Sequence, residues 1–333
     1  MWMLLATVTA AMLSAALIRI IRPLLLKHAM ARPNARSSHR LPTPQGAGIA
    51  VMAATLAVAG VIIVGVDTSG AHFPVAVFVA TLCIAVVGFA DDLRSMPVVT
   101  RLVLQASAVA AILLAAPADL RIVPAVPLWI ERGLLLLAGL WFVNLVNFMD
   151  GLDWMTVAEV VPITAALIVL GLTGAFPQSP SILAAALCGA MIGFAPFNRP
   201  IATIFLGDVG SLPIGLLLGW CLLQLAWHQQ ITAALLLPLY YLADATLTLL
   251  RRIARGEPFW TGHRSHFYQR ATDNGLSVVG VVSAVFLLNL VLAAMAIAST
   301  KVKSSAIEVA LMVLGAGAVA FLLHRFSRPH SLK

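Results

Sequence analysis

The sequence predicts an all-α polytopic membrane protein, a bundle of about eleven transmembrane helices. Hydrophobic residues make up 61% of the 333 positions, charged residues make up 10%, and the mean hydropathy is +0.99. Soluble proteins carry roughly 25% charged residues, so this chain has too little charge to cover a water-facing surface of its size. Its apolar residues occur in helix-length runs, not in the alternating ten-residue strands of a membrane barrel.

The apolar runs that we expect to cross the membrane are 2–26, 47–66, 72–90, 98–116, 133–148, 155–174, 181–197, 209–227, 231–250, 275–298 and 305–323. The first run is too long for the core of a signal peptide and lacks a cleavage site, so we interpret it as a retained helix. No separate soluble domain or repeat is apparent. Residues 1–333 are therefore predicted to form a single integral membrane domain.

The basic residues predict the orientation of the chain. Connections that follow odd-numbered runs, with their flanking residues, carry 17 of the 21 lysines and arginines, and the other side carries Arg121, Arg132, Lys301 and Lys303. The basic side is expected to be cytoplasmic, with the N-terminus outside and the C-terminus inside. The net charge of +8 is spread over short loops without a basic domain, which argues against nucleic acid and for anionic substrates or lipids.

Acidic residues concentrate at the predicted cytoplasmic ends of the helices. Five of the 13 lie in the segments GFADDLRSM, NFMDGLDWM and IFLGDVGSLPIG, namely Asp91, Asp92, Asp150, Asp153 and Asp208. A spacing of three would put Asp150 and Asp153 on one face of a helix. A single acid at a helix end is commonly a cap or a solvated residue, but three clusters on one membrane face predict one shared site. Carboxylate oxygens suit Mg²⁺, with Mn²⁺ as an alternative.

The connection between the ninth and tenth runs is rich in arginine and histidine. One interpretation is a basic loop that only orients the chain. The other is a diphosphate site, because arginine makes two-pronged phosphate contacts and histidine donates or shuttles a proton, with His263, Arg264 and His266 as the candidates. Trp260, Phe267 and Tyr268 of the same loop are then expected to shape a sugar pocket.

Two acids fall within or near apolar runs. Glu159 stands near the start of the sixth run, where a helix N-terminus tolerates an acid, and we interpret it as structural. Asp244 stands about two turns from the cytoplasmic end of the ninth run, and its role is left open between a basic partner and a functional part.

The motifs GFADDLRSM, NFMDGLDWM, APFNRPIATIFLGDVGSLPIG and GHRSHFYQR, in this order, resemble those of the polyprenyl-phosphate N-acetylhexosamine-1-phosphate transferases, glycosyltransferase family 4. RPNARSSHRLPTPQGAGIAV resembles the first cytoplasmic loop of that family. The likeness extends over residues 30–275, and HRSHFYQ is closer to the O-antigen-initiating branch than to the phospho-N-acetylmuramoyl-pentapeptide transferases.

The resemblance implies Mg²⁺-dependent transfer of an N-acetylhexosamine-1-phosphate from a UDP-sugar to polyprenyl (undecaprenyl) phosphate, with release of UMP. It implies metal ligands at Asp208 and Asp92. It implies catalytic roles for Asp91, Asp92, Asp208 and His263. It implies substrate contacts from Asn147, Asp150, Asp153, Asn198, Phe205 (stacked on uracil), Arg264 and His266. Direct attack is favoured, with a route through an aspartyl intermediate left open.

The same likeness implies a multi-pass protein of the bacterial inner membrane that starts O-antigen or lipopolysaccharide synthesis. Its partners would be UDP-N-acetylhexosamine, polyprenyl phosphate and membrane lipids, with a homodimer as the candidate assembly. Three positions depart from the family pattern: Ala31 in place of an acid, Gln45 in place of arginine and Trp154 in place of glycine. The alternatives are a transporter or lipid flippase, and a non-catalytic membrane scaffold. A transporter would place its charges near the bilayer midplane, which these motifs do not do.

Overall fold

The computed structural model describes residues 1–31, 42–66, 74–258, 263–302 and 304–329. Trp260 lies outside the described residues, and so do Arg32, Arg36, Arg40, Lys303 and Lys333, which entered the charge count. The helices in the described part are α1 Trp2–His28, α2 Gly48–Val66, α3 Val75–Leu93, α4 Val98–Ala115, α5 Leu128–Met149, α6 Met155–Leu172, α7 Gln178–Phe194, α8 Asp208–Trp227, α9 Ile231–Leu236, α10 Leu239–Ala254, α11 Phe267–Asp273, α12 Val278–Ser299 and α13 Ser305–Phe326.

The predicted all-α membrane fold is confirmed. Ten helices in the described part of the chain have the length and apolar composition needed to cross a bilayer. In α7 and α8 most side chains are buried, whereas α1 and α13 expose many apolar side chains. Such exposure is expected where lipid replaces water, because hydrocarbon tails solvate leucine and valine without cost. The bundle is therefore built around α7 and α8.

The expected ninth span, 231–250, is not one helix. It is divided into α9 and α10, with a turn at Leu237 and Pro238 between them. Proline has no N–H to donate and its ring collides with the preceding turn, which ends a helix. The prediction of one continuous helix here was wrong, and the two shorter helices together occupy the place of the expected ninth span.

A short hairpin of two strands lies between the end of α1 and the start of α2. The strands β1 Met30–Ala31 and β2 Thr43–Pro44 are antiparallel, with Met30 opposite Pro44. Beyond β2, the amides of Gly46 and Ala47 donate to the carbonyl of Phe205 over 3.1 and 3.0 Å. The segment before α8 is thereby tied to the segment before α2.

The motif-bearing helix ends meet at one end of the bundle. The C-terminal ends of α3 and α5 contact the N-terminal end of α8, and the residue before α6 contacts the loop after α7. The prediction that the polar clusters form one site is therefore supported by direct contacts. The cytoplasmic assignment of this end stays a prediction.

Candidate active site

Asp92, near the end of α3, caps the N-terminus of α8. Its Oδ1 accepts from the amide of Asp208 over 2.9 Å, and its Oδ2 accepts from the amide of Val209 over 3.0 Å. Gly207 makes this approach possible, because its φ is +78° and a Cβ there would lie 2.6 Å from Asp92 Oδ2. A carboxylate at a helix N-terminus satisfies free amides and complements the helix dipole. Asp92 therefore holds Asp208 in place.

Asp208 is the acid around which the other polar groups gather. Its Oδ1 accepts from Asn147 Nδ2 at 2.7 Å, and the same nitrogen lies 2.9 Å from Ser211 Oγ. Its Oδ2 lies 3.9 Å from a guanidinium nitrogen of Arg101. The side chain keeps 27% exposure, and its Oδ1 is fixed by the side-chain amide of Asn147.

Arg101, on α4, bridges two of the acids. It pairs with Asp91 Oδ2 at 2.8 Å as well as approaching Asp208, and the other oxygen of Asp91 accepts from the Met96 amide at 2.6 Å. Sequence reasoning counted Arg101 only as an orienting charge. The available signal was its place in the first turn of the helix that follows GFADDLRSM, ten residues after Asp91.

The expectation that Asp150 and Asp153 share a helical face was wrong. Asp150 follows the last residue of α5, and both acids lie in the non-helical link before α6. Asp150 accepts a short hydrogen bond from the Thr156 hydroxyl, whereas Asp153 accepts from the Ala202 amide at 3.0 Å. Burial raises the pKa of Asp150 to about 7. The Thr156 hydroxyl lowers this pKa, and the negative charges of Asp92 and Asp153 raise it further.

Asn198 joins the α5–α6 link to the loop before α8. Its Oδ1 accepts from the Trp154 amide at 2.8 Å, and its Nδ2 donates to the Ile204 carbonyl at 3.1 Å. Trp154 has a φ of +65°, the left-handed region that favours glycine, and its indole N–H donates to the Ala195 carbonyl at 2.7 Å. The tryptophan that stands in place of glycine has therefore kept a glycine-like backbone. Asn198 acts as a clamp on this link, and its contact with substrate stays a prediction.

Phe205 lies at the edge of the site with its ring half-buried. Its amide donates to the Pro44 carbonyl over 2.8 Å, so the hairpin fixes its backbone. Gln45, where the family pattern has arginine, donates to the backbone carbonyl of Asp92 at 3.1 Å. The hairpin therefore reaches both Phe205 and Asp92, and the stacking of uracil on Phe205 stays a prediction.

Asp244, whose role was open, anchors the histidine segment. It is fully buried in α10 and accepts from the amides of Phe267 and Tyr268 at 3.0 and 3.1 Å. Its Oδ1 also lies 3.2 Å from Nδ1 of His266. Among the described residues its partners are a histidine, two amides and the hydroxyls of Tyr240 and Thr248, not an arginine.

The His-Arg-x-His segment is fastened to the end of α5. The Tyr268 hydroxyl donates to the Phe148 carbonyl at 3.0 Å, and the rings of His263 and His266 stack with their centres 4.8 Å apart. Phe267 and Tyr268 are 3% and 0% exposed. The expectation that these two aromatic rings line a sugar pocket is therefore wrong, since they are packed inside the protein.

Arg264 points to a different set of groups from its two histidine neighbours. It pairs with Asp273 at 3.1 Å and approaches the Thr272 hydroxyl at 3.4 Å, both at the end of α11. It also lines a cavity with other arginines of α10 and α11. Its predicted contact with a diphosphate stays a prediction.

Glu159 contacts a second helix, and its structural role stays a prediction. It is 1% exposed inside α6, and one of its oxygens accepts from Asn289 Nδ2 of α12 at 2.6 Å. This pair joins two spanning helices away from the acids at the helix ends.

Within the described residues, no three histidine, cysteine or acidic side chains form a ready-made metal cluster. Magnesium does not need one, because it is commonly held by one or two carboxylates with water and substrate phosphates. The partly exposed carboxylate of Asp208 fits that role. Asp92 fits it less directly, since both of its oxygens already accept from amides of α8.

The fold and the site together define a polytopic membrane protein with carboxylates, an arginine and histidines assembled at one end of its helices. The sequence model of glycosyl transferase family 4 matches residues 74–226, a range that contains all five clustered acids. The chain is therefore similar to this family over the part that carries these acids.

Relatives named for an activity extend the likeness beyond that range. A probable undecaprenyl-phosphate N-acetylglucosaminyl 1-phosphate transferase of Bacillus subtilis (strain 168) is 27% identical over 297 residues, covering 86% of this chain and 80% of that protein. The decaprenyl-phosphate N-acetylglucosaminephosphotransferase of Mycobacterium leprae (strain TN) is 28% identical, over 78% of this chain and 74% of its own length. A phospho-N-acetylmuramoyl-pentapeptide-transferase of Chlamydia trachomatis is 36% identical over 80 residues, 23% of this chain and 24% of that protein.

Proposed function

We propose that this protein transfers an N-acetylhexosamine-1-phosphate from a UDP-sugar to a polyprenyl phosphate. The observation that carries the proposal is the continuous network of Asp91, Arg101, Asp208, Asn147 and Asp92 at one end of the bundle. Relatives named for polyprenyl-phosphate N-acetylglucosamine-1-phosphate transfer align over most of the chain, which supports the same reaction class.

The reaction brings negatively charged groups together. An oxygen of the lipid phosphate attacks the phosphorus that carries the sugar, and the bond from that phosphorus to the bridging oxygen breaks, so UMP leaves with the electron pair. Most of the catalytic work is positioning and neutralisation of charge. Arg101 supplies a fixed positive charge between Asp91 and Asp208. The stacked rings of His263 and His266 are the proposed donors to the diphosphate.

Magnesium is part of the proposal. Asp208 would hold it through its partly exposed carboxylate. Asp92 would keep Asp208 in place through the α8 amides and supply its remaining lone pairs as the second ligand. When bound, the ion supplies neutralisation of phosphate charge. Asn147 fixes the rotamer of Asp208 by its hydrogen bond to Oδ1, so the ligand is preorganised.

Direct attack by the lipid phosphate is the favoured route. The oxygens of Asp92 each accept from an amide, and those of Asp91 accept from Met96 and Arg101. A carboxylate held by such donors is a weak nucleophile, because attack would require the loss of these bonds. Asp91 and Asp92 therefore act by holding charge and geometry, with Asp150, Asp153, Asn198 and Phe205 on the nucleotide side.

The finer assignments follow from the same proposal. The sugar donor is a UDP-N-acetylhexosamine, the acceptor is undecaprenyl phosphate, and the product starts a cell-surface glycan such as the O-antigen of lipopolysaccharide. Neither of the two N-acetylglucosamine-1-phosphate transferases above is named for O-antigen synthesis. The choice of this glycan therefore depends only on the HRSHFYQ form of the histidine motif. The proposed location is the bacterial inner membrane, with the active site and the C-terminus in the cytoplasm.

The test is release of UMP by the purified full chain in detergent, with undecaprenyl phosphate, Mg²⁺ and one of three donors: UDP-GlcNAc, UDP-GalNAc or a UDP-6-deoxyhexosamine. We expect UMP and a lipid-linked sugar phosphate in equal amounts, and both should vanish without the lipid. The proposal is overturned if none of the three donors gives UMP release that depends on the lipid. Movement of lipid across vesicles without UMP release would favour the flippase instead.

A further inference from the structure

A second polar cavity, distinct from the carboxylate cluster, lies between α10 and α11. Its volume is about 330 Å³, and five arginines line it together with Thr248 and Ser265, namely Arg251, Arg252, Arg255, Arg264 and Arg270. Its described lining contains none of the five clustered acids. A cavity of this size is at the lower end of ordinary ligand sites, large enough for one phosphate group and its immediate substituents.

The arginines outnumber the acids that balance them. Glu257 pairs with Arg252 at 2.9 Å and approaches Arg255 at 4.0 Å, and Asp273 pairs with Arg264 at 3.1 Å. Among the residues that the structure describes, neither Arg251 nor Arg270 has a carboxylate partner. Two acids against five arginines leave three positive charges around one cavity, and such a concentration of like charge is stabilised by a bound anion.

Parts of this cavity are already ordered. Arg252 is only 4% exposed and donates to the Pro258 carbonyl at 2.8 Å as well as to Glu257. The guanidinium of Arg251 lies over the ring of Phe267, 4.4 Å from its centre. Planar guanidinium groups fixed in this way bind phosphate in two-pronged fashion, with little further loss of side-chain freedom.

The surface beside the cavity is apolar. Leu247 and Leu250, within the turn that precedes Arg251 on α10, are 42% and 54% exposed. A phosphate group held by the arginines could therefore belong to a lipid whose chains lie along these leucines, or to a soluble phosphate compound.

We propose that this arginine cavity is a second binding site, which takes the phosphate group of a mono- or diester anion. It works alongside the carboxylate cluster without forming part of it. The proposal does not depend on the reaction proposed above, since none of the acids assigned to that reaction lines the cavity. Arg264, which is also a predicted diphosphate contact, is left unchanged in the variants below.

The test uses the purified full chain and two probes. Inorganic phosphate, at fixed ionic strength against chloride, is followed by the shift in thermal unfolding. Dioleoylphosphatidylglycerol, against dioleoylphosphatidylcholine, is followed by retained lipid in native mass spectrometry. The variants are R251Q/R270Q and the charge-conserving R251K/R270K, with R328Q as the control, because Arg328 is an exposed arginine at the end of α13.

We expect one probe or both to bind the wild type, and R251Q/R270Q to weaken that binding by about tenfold or more, since charge-assisted hydrogen bonds are lost. Probe binding by R251K/R270K should lie between that of R251Q/R270Q and that of the wild type, and R328Q should bind as the wild type does. If R251Q/R270Q loses binding of phosphatidylglycerol only, the natural ligand is a lipid headgroup. If it loses binding of inorganic phosphate, the ligand is a soluble phosphate compound.

The proposal is overturned if neither probe binds, or if R251Q/R270Q elutes as a folded protein and binds both probes as the wild type does. D208N provides the separation from the enzymatic site. It should lose turnover while its probe binding is unchanged, so failure of either proposal is visible without the other.

Discussion

Asp92 and Asp208 are 116 residues apart in the sequence, yet the carboxylate of Asp92 accepts the amide of Asp208 over 2.9 Å. The end of α3 is thus the cap of α8. The acid that would hold a metal is the first residue of the capped helix, so its position depends on a contact between two spanning helices.

Removal of this cap should lower stability and activity together. We expect D92A to lower the free energy of unfolding by about 1–2 kcal/mol, the usual cost of losing an N-cap, because two amides of α8 lose their acceptor. D92N keeps one acceptor oxygen, so its free energy of unfolding should lie between those of D92A and the wild type. Thermal unfolding in detergent measures the effect, with D119A, an exposed acid in the connection between α4 and α5, as the control. An unfolding temperature for D92A equal to that of D119A would contradict the capping role.

The left-handed backbone of Trp154 predicts an unusual order of stabilities. W154A and W154G both lose the indole and its bond to Ala195, so their difference isolates the backbone. Glycine ordinarily costs stability relative to alanine, but at a φ of +65° it should be the better residue by about 1 kcal/mol. Chemical or thermal unfolding of the two variants makes the comparison. A W154A protein more stable than W154G would mean that the backbone relaxes without strain.

Much of the fold could be predicted from the sequence, because the length and polarity of each apolar run are local properties. The interruption at Pro238 was missed, since a proline within an apolar run of span length does not show whether the helix bends or stops. The site could be predicted in outline because its acids recur at helix ends on one side. Its internal contacts could not, since Arg101, Asp208 and Asn147 meet only when α4, α5 and α8 pack together.

The buried carboxyl of Asp150 predicts a pH-dependent stability. Its pKa of about 7 is above the value near 3.9 of an unfolded aspartate, so the folded state holds its proton more tightly. The contribution of this raised pKa to the free energy of unfolding is complete below about pH 4 and is lost as the pH rises through 7. The total loss is about 4 kcal/mol at most. D150N should remove this part of the decline in unfolding temperature between pH 5 and 8, measured without Mg²⁺ or substrate. Parallel profiles for D150N and the wild type would contradict the raised pKa.

The anchoring of the histidine segment predicts the behaviour of Asp244. D244N keeps one acceptor oxygen and loses the charge beside His266, so the segment should loosen while the spanning helices persist. We expect a higher KM for the UDP-sugar, a modest change in kcat, and faster proteolysis between residues 255 and 275. Asp244 is here a positioning residue. A fall in kcat alone, with unchanged proteolysis, would instead indicate direct contact with the reacting groups.

The most direct test of the central claim is the Mg²⁺ dependence of UMP release by D208N. Asparagine retains the volume and the hydrogen bond to Asn147 but removes the charge of the proposed ligand. We expect D208N to be inserted and folded, with turnover reduced by about 10²-fold or more and no recovery at high Mg²⁺, whereas D119N behaves as the wild type. Turnover near that of the wild type, with the same half-saturating Mg²⁺ concentration, would contradict the assignment of Asp208 as the centre of the site.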